Sequence, residues 1–116
     1  MLIPGNVQIH LAIQPVSLLK SIDGLAAEVQ ARFGEDPMTG HLFVFLNKTA
    51  TGLKCLYWDY GGFVLVYKRL ERGRVVMPVV RGDRVQLTGA QLAALLEGID
   101  LSRARRIPMW NPPRSA

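Results

Sequence analysis

Clustered cationic side chains are the feature of this sequence most suited to chemistry, and that chemistry is the binding of an anion. The segment YKRLERGRVV, residues 67–76, contains four cations and one carboxylate, Glu71. The four cations are Lys68, Arg69, Arg72 and Arg74. Placed after an apolar run, they predict a hairpin tip that follows one or two phosphates or sets arginines against base edges. The alternative is a solvated tip at which Arg72 or Lys68 pairs with Glu71.

The end of the chain forms a second basic segment. RARRIPMWNPPRSA, residues 103–116, contains four arginines, three prolines and no acidic residue. It has too few apolar residues to fold alone, so we expect a single domain over 1–101 and a flexible tail over 102–116. In the tail, Arg103, Arg105 and Arg106 would add phosphate contacts, and Trp110 would offer a ring for stacking.

Net charge supports an anionic partner, because it is unevenly spread. Residues 1–60 contain four Lys or Arg against five acids, whereas residues 61–116 contain ten against four. Binding to nucleic acid needs only clustered cations, since it is driven by phosphate neutralisation and counterion release. An acidic protein partner and simple solubility remain the alternatives.

Two aromatic residues flank Asp59 and suggest a possible contact surface. Trp58 and Tyr60 could form an aromatic platform for a base, or they could cover a turn. The following YGG is typical of a tight hairpin turn, not of a phosphate-binding loop, which joins a strand to a helix.

Catalytic and metal-binding chemistry have little support. His10 is expected on the polar face of a strand and His41 at the start of another, while Cys55 reads as a small core residue. The acids are too scattered for a two-metal nuclease site. We therefore expect no enzyme, no catalytic residue, no metal and no cofactor.

Periodicity predicts an α+β fold with a mainly antiparallel sheet of about five strands. VQIHLAIQ (7–14) alternates apolar and polar residues, as a strand does. Residues 17–33 have helical spacing, with Ser17 as the N-cap and Gly34 ending the helix in a left-handed conformation.

Runs at 41–48, 53–59 and 63–70 predict a meander, with 63–70 central because both of its faces are apolar. RVVMPVV (74–80) would be an edge strand or a bulge, because it contains Pro78. Thr88 and Gln91 have capping-box spacing at the start of a helix over 88–98, and we expect the two helices to cover one side of the sheet.

The chain contains no apolar run long enough to cross a bilayer, and its first residues lack the pattern of a secretory signal. The expected location is therefore the cytoplasm.

Four segments resemble one protein family: IDGLAAEVQ (22–30), DPMTGHLFVFLNK (36–48), LKCLYWDYGGFVLVYKRLERGR (53–74) and LTGAQLAALLEGID (87–100). The family comprises the small accessory proteins, usually called TnpB, encoded by the second open reading frame of insertion sequences of the sixty-six family. The resemblance implies a bacterial protein required for efficient transposition, working beside a separate DDE-type transposase and a second small element-encoded protein. It implies no catalytic residues.

Two hypotheses follow from the charge pattern and the resemblance together. The protein either contacts DNA through the basic tip and tail, or bridges the other transposition proteins without binding DNA. The chain also departs from the family pattern. Ser17 and Leu19 stand where the family has an Asp-x-Arg pair, KTATG (48–52) keeps only Lys48 of an arginine-rich stretch, and Met77 replaces a tryptophan. The first two departures remove charge and predict weaker DNA binding.

Overall fold

The fold is built on a mixed sheet whose strands are mostly antiparallel. A computed structural model describes residues 6–76 and 84–97. The strands are β1 (Ile9–Ala12), β2 (Leu42–Leu46), β3 (Gly52–Asp59), β4 (Gly62–Arg69) and β5 (Arg84–Leu87), in the order β4-β3-β2-β1-β5. Helix α1 (Ile22–Glu28) continues as a π-helical turn (Val29–Phe33), a 3-10 turn spans Pro37–Thr39, and α2 spans Gly89–Leu96. The predicted α+β class, five-stranded sheet and two helices are confirmed.

Among the described strands, one pair of neighbours is parallel and the others are antiparallel. β1 and β2 run side by side in the same direction and are joined through α1, while β2, β3 and β4 form the predicted antiparallel meander. β5 pairs antiparallel with β1, from Ile9 opposite Leu87 to Ala12 opposite Arg84. β5 was not predicted, because its four residues are too few to show a clear period.

The two helices cover opposite faces of the sheet. On α1, Leu25, Val29 and Phe33 pack with Phe43 and Phe45 of β2. On α2, Leu92 and Leu95 pack against the other face of β2, formed by Leu42, Val44 and Leu46. The prediction that both helices cover one side is therefore wrong. Because all five residues of β2 are buried, each face of the strand needs its own cover.

β4 is an edge strand, so the prediction that it lies centrally is also wrong. Among the described strands it pairs only with β3. Its apolar residues still find contacts on both faces, because Phe63 and Leu65 pack at the rim of the α1 side and Val66 packs at the rim of the α2 side. Apolar residues on both faces are thus compatible with an edge strand when a helix covers each face.

Local signals at the helix ends were predicted with mixed success. Gly34 ends the first helical segment at φ 62°, and Thr88 and Gln91 form the complete capping box, as predicted. Ser17 is not the N-cap of α1, because the helix begins at Ile22 after Ser21. Instead, the Ser17 hydroxyl accepts a hydrogen bond from the Leu19 amide in a preceding turn.

Two predicted segments lie partly or wholly outside the described residues. In the predicted strand 74–80, residues 74–76 are not in a strand, and 77–80 lie outside the described residues. The predicted tail, 102–116, also lies outside them. No helix within 6–76 and 84–97 is long and apolar enough to cross a membrane.

Candidate nucleic-acid interface

Strand direction gathers the described cationic segments at one end of the sheet. β2 ends there at Leu46, β3 begins there at Gly52, and β4 ends there at Arg69. The exposed cations of this end are Lys48, Lys68, Arg69, Arg72 and Arg74. We call these five residues the basic end. Within segments 47–51 and 68–75, Glu71 is the only acid, so this end has a strong excess of positive charge.

The loop that carries Arg72 and Arg74 is attached at both ends to the β2–β3 turn. The amide of Leu70 donates to the carbonyl oxygen of Thr51 at 2.7 Å, and the amide of Val75 donates to that of Ala50 at 2.7 Å. Gly73 takes up the reversal at φ 75°, in the left-handed region. The chain bends at residues 71–73 and then approaches the β2–β3 turn, so within the described residues it does not return along β4 as a hairpin would.

The β2–β3 turn is itself held by one side chain. The Asn47 carboxamide oxygen accepts from the amides of Thr51 at 2.9 Å and Gly52 at 3.0 Å. The Asn47 amide nitrogen also donates to the Thr51 hydroxyl at 3.2 Å. Lys48, which directly follows Asn47, is therefore presented from an ordered turn.

The four cationic side chains of residues 67–76 have different hydrogen-bond and ion-pair partners. Lys68 donates to the carbonyl oxygen of Leu96 in the last turn of α2. Arg69 donates twice to one carboxylate oxygen of Glu71, at 2.8 and 3.1 Å, and this contact raises the pKa of Arg69. Arg72 and Arg74 are exposed, and neither has a hydrogen bond or ion pair with any described residue. The carboxylate thus pairs with Arg69, not with Arg72 or Lys68.

The contact between Lys68 and Leu96 places the end of α2 beside the end of β4. Glu97, the last described residue, follows Leu96 directly, so the chain leaves α2 beside the C-terminal end of β4. Arg103, Arg105 and Arg106 lie outside the described residues.

The two aromatic residues predicted as a platform lie at the other end of the sheet. Tyr60 and Gly61 form the β3–β4 hairpin loop, with φ of 37° and 84°. An eight-residue strand separates this loop from the basic end by about 24 Å. Trp58 packs edge-to-face on Phe63 at 5.0 Å, as expected of an aromatic residue that covers a turn, whereas Tyr60 is fully exposed.

A pocket beside the basic end was not predicted from the sequence. Its volume is about 620 Å³, and its walls include Ser17, Leu19, Lys48 and Tyr67. Leu19 is almost wholly exposed, at 96%. Ser17, Leu19 and Lys48, which were singled out in the sequence, therefore lie around one depression.

Lys54 is a buried cation that sequence reasoning overlooked. Its amine donates to the carbonyl oxygen of Lys20 at 2.9 Å and lies 5.2 Å from the centre of the Tyr67 ring. The signal was its place inside the apolar run LKCLYW, where a lone charge must find a fixed partner. Because its amine is buried and has these contacts, Lys54 does not belong to the exposed cationic surface.

The remaining titratable candidates are structural. His10 was expected on a solvent-facing strand surface, which is wrong: it is buried, and its ring stacks on Phe43 at 5.5 Å, because α1 covers that face. His41 Nδ1 accepts from the Gln8 amide at 3.0 Å. Cys55 is buried as predicted, and burial raises the pKa of its thiol to about 12. No group of three or more His, Cys, Asp or Glu within the described ranges could hold a metal ion.

Comparison with known proteins identifies the family. A family model described as "IS66 Orf2 like protein" matches residues 7–106. The chain belongs to this family. Two similar proteins are "Uncharacterized protein y4jC" and "Uncharacterized protein y4hO", both of Sinorhizobium fredii (strain NBRC 101917 / NGR234). The first is 34% identical over 111 residues, which cover 96% of this chain and 95% of the relative. The second is 34% identical over 109 residues, which cover 94% and 93%.

Membership of the IS66 Orf2-like family implies an accessory role in the transposition of insertion sequences. The same membership associates the chain with a transposition system and suggests a non-catalytic protein. No solved structure matches the chain.

Proposed function

We propose that this IS66 Orf2-like protein is a non-catalytic accessory factor that contacts DNA phosphates through its basic end. The observation that carries the proposal is the state of Arg72 and Arg74. Both are exposed and without a partner among the described residues, on a loop whose two ends are hydrogen-bonded to the β2–β3 turn.

An attached loop favours binding, because less conformational entropy is lost when its cations meet a phosphate. Lys48 comes from the ordered turn beside the loop and adds a third exposed cation. Each phosphate that the protein neutralises releases condensed counterions from the DNA, so clustered cations bind without sequence preference.

The tail extends this proposed contact. Because the chain leaves α2 beside β4, Arg103, Arg105 and Arg106 are tethered close to the basic end, and tethering raises their effective concentration near the same DNA. In the proposal, the protein holds DNA in a cytoplasmic complex with a DDE-type transposase and a second small element-encoded protein, which supply the chemistry and the remaining contacts.

A bridging subunit that does not bind DNA is the second candidate. It is supported by the same observation, because exposed cations without a partner among the described residues also suit an acidic protein partner. In this alternative the basic end would meet an acidic protein surface.

Fluorescence anisotropy of the purified full chain distinguishes the two candidates. One labelled duplex carries the terminal inverted repeat of the parent insertion sequence, and a second has the same base composition in scrambled order. Binding to both duplexes that weakens steeply with salt supports phosphate contact, and a preference for the repeat would add recognition of the element's ends. A folded protein that binds neither duplex contradicts the proposal and favours the bridging subunit.

A further inference from the structure

The outer edge of β4 has the properties of a strand-pairing surface. β4 and β3 pair one-to-one over eight residues, from Gly52 opposite Arg69 to Asp59 opposite Gly62, without a bulge. No described strand pairs with the second edge of β4. Edge strands of this length are usually protected by a charge, a proline or a bulge. Residues 63–66 contain none of these, because the only charged residues of β4 are Lys68 and Arg69 at its end.

The alternation of backbone hydrogen bonds along β4 shows which of its N–H and C=O groups face away from β3. The Leu70 amide donates to Thr51, opposite Leu70 in the continued β3–β4 ladder, so the even-numbered residues of β4 bond towards β3. In an antiparallel pair, alternate residues point their N–H and C=O groups to opposite edges. The groups of Phe63, Leu65 and Tyr67 therefore face the free edge.

The path of the chain leaves this edge accessible within the described residues. After Leu70, the loop bends to Thr51 and Ala50, towards β3 and β2 and away from the outer edge. The side chains of residues 63–66 are half-buried, and Tyr67 keeps 54% of its surface exposed. Apolar surface therefore remains available beside the outward N–H and C=O groups.

We propose that β4 pairs antiparallel with β4 of a second copy of this chain, in a symmetric dimer with one continuous sheet. The register that fits best centres on Leu65. It places Leu65 opposite Leu65 of the second copy, Val64 opposite Val66, and Phe63 opposite Tyr67, so apolar side chains meet across the interface. The inference does not depend on DNA binding.

The charges of β4 and its hairpin complement each other in this register. Lys68 of one copy falls opposite Gly62 of the other, beside the exposed Asp59 that pairs with Gly62. The cationic end of each strand thus approaches the acidic hairpin end of the other, and like charges stay apart. This complementarity favours a second copy, since the edge supplies both members of each oppositely charged pair.

Sedimentation equilibrium of the full chain over a range of concentrations tests the proposal. Val64 does not belong to the side chains packed against either core cluster, so Val64→Lys adds a charge to the edge without emptying the core. We expect the wild type to form dimers as concentration rises and Val64→Lys to weaken dimerisation by about tenfold or more, because each lysine lies in an apolar interface. Val64→Thr keeps the β-branched shape and is the matched control, expected to dimerise like the wild type.

Amide hydrogen exchange of the wild type gives a second readout that needs no substitution. The outward amides of Leu65 and Tyr67 should exchange quickly in dilute protein and slowly in the dimer, while those of Val64 and Val66 stay protected in both. A wild type that is monomeric at every concentration overturns the proposal. So does a dimer unaffected by Val64→Lys, which would use another surface, and a monomer with protected outward amides, in which another part of the chain would cover the edge.

Discussion

The amine of Lys68 donates a hydrogen bond to the carbonyl oxygen of Leu96, in the last turn of α2. This contact joins the end of the edge strand β4 to the negative end of the helix dipole, where a cation is stabilising. It also means that Lys68 differs from its neighbours Arg72 and Arg74, which have no such partner among the described residues. One cation of the predicted cluster therefore joins β4 to the end of α2.

Removing this cation should destabilise the protein slightly. We expect Lys68→Met to lower the free energy of unfolding by about 0.3–1 kcal/mol, the usual value of a cation at a helix C-terminus. Lys68→Arg keeps the charge and the donor and should lose less. Urea denaturation measures both, and equal losses in the two variants would show that the contact with Leu96 contributes nothing.

Neutralising Glu71 should strengthen DNA binding. Glu71→Gln frees Arg69 from its ion pair and removes a negative charge from the basic end, so affinity for duplex DNA should rise. The salt dependence should steepen by up to about 0.9 in log–log slope, the value of one phosphate contact. Asp59→Asn makes the same charge change at the other end of the sheet and is the control. If both variants gain equally in anisotropy titrations, only net charge matters.

The position of β4 at the edge of the sheet predicts that two cross-strand neighbours, Leu56 and Leu65, contribute unequally to the free energy of unfolding. Leu56 in β3 is fully buried and lies opposite Leu65 in β4, which is half-buried. We expect Leu56→Ala to cost about 2–5 kcal/mol and Leu65→Ala about 1–2 kcal/mol, because less apolar surface is lost at the edge. Chemical denaturation of dilute protein compares them, and equal costs would argue that β4 is covered as fully as β3.

Glu28 should give stability a dependence on acid pH. Hydrogen bonds from Arg32 first and Lys20 second, the latter at 3.0 Å, lower its pKa from the ordinary 4.5. A lowered pKa in the folded state contributes stability that is fully present above pH 4.5 and is lost as pH falls through the folded value. The difference in unfolding free energy between the wild type and Glu28→Gln should therefore shrink on acidification. A difference that is constant across this range would contradict the assignment.

Local features of the fold could be predicted where neighbouring residues determine them. The capping box at Thr88 and the left-handed Gly34 depend on a few adjacent residues, so their signals survive in the sequence. The place of β4 at the edge and of the helices on opposite faces depends on which strands pair over long separations. Apolar patterning cannot distinguish a central strand from an edge strand whose two faces both meet a helix, and for this reason β4 was misplaced.

In the candidate site, too, features set by nearby residues could be predicted, and features set by distant residues could not. Composition was enough to find the cations of residues 67–76, because clustered charge is visible in the sequence. It could not show that Glu71 pairs with Arg69, or that Lys68 reaches Leu96, a residue 28 positions away. The burial of Lys54 was likewise hidden, since its partner is the carbonyl oxygen of Lys20 in another segment.

The most direct test of phosphate contact is the salt dependence of DNA binding by Arg72→Ala/Arg74→Ala, compared with Asn6→Asp/Gln8→Glu. Both double variants lower the net charge by two, but Asn6 and Gln8 are exposed residues that precede β1, at the end of the sheet away from the basic end. We expect the arginine variant to weaken binding to every duplex and to reduce the log–log salt slope by about 1.8, while the control changes the slope little. Equal slopes for the two folded variants would contradict DNA contact through this loop.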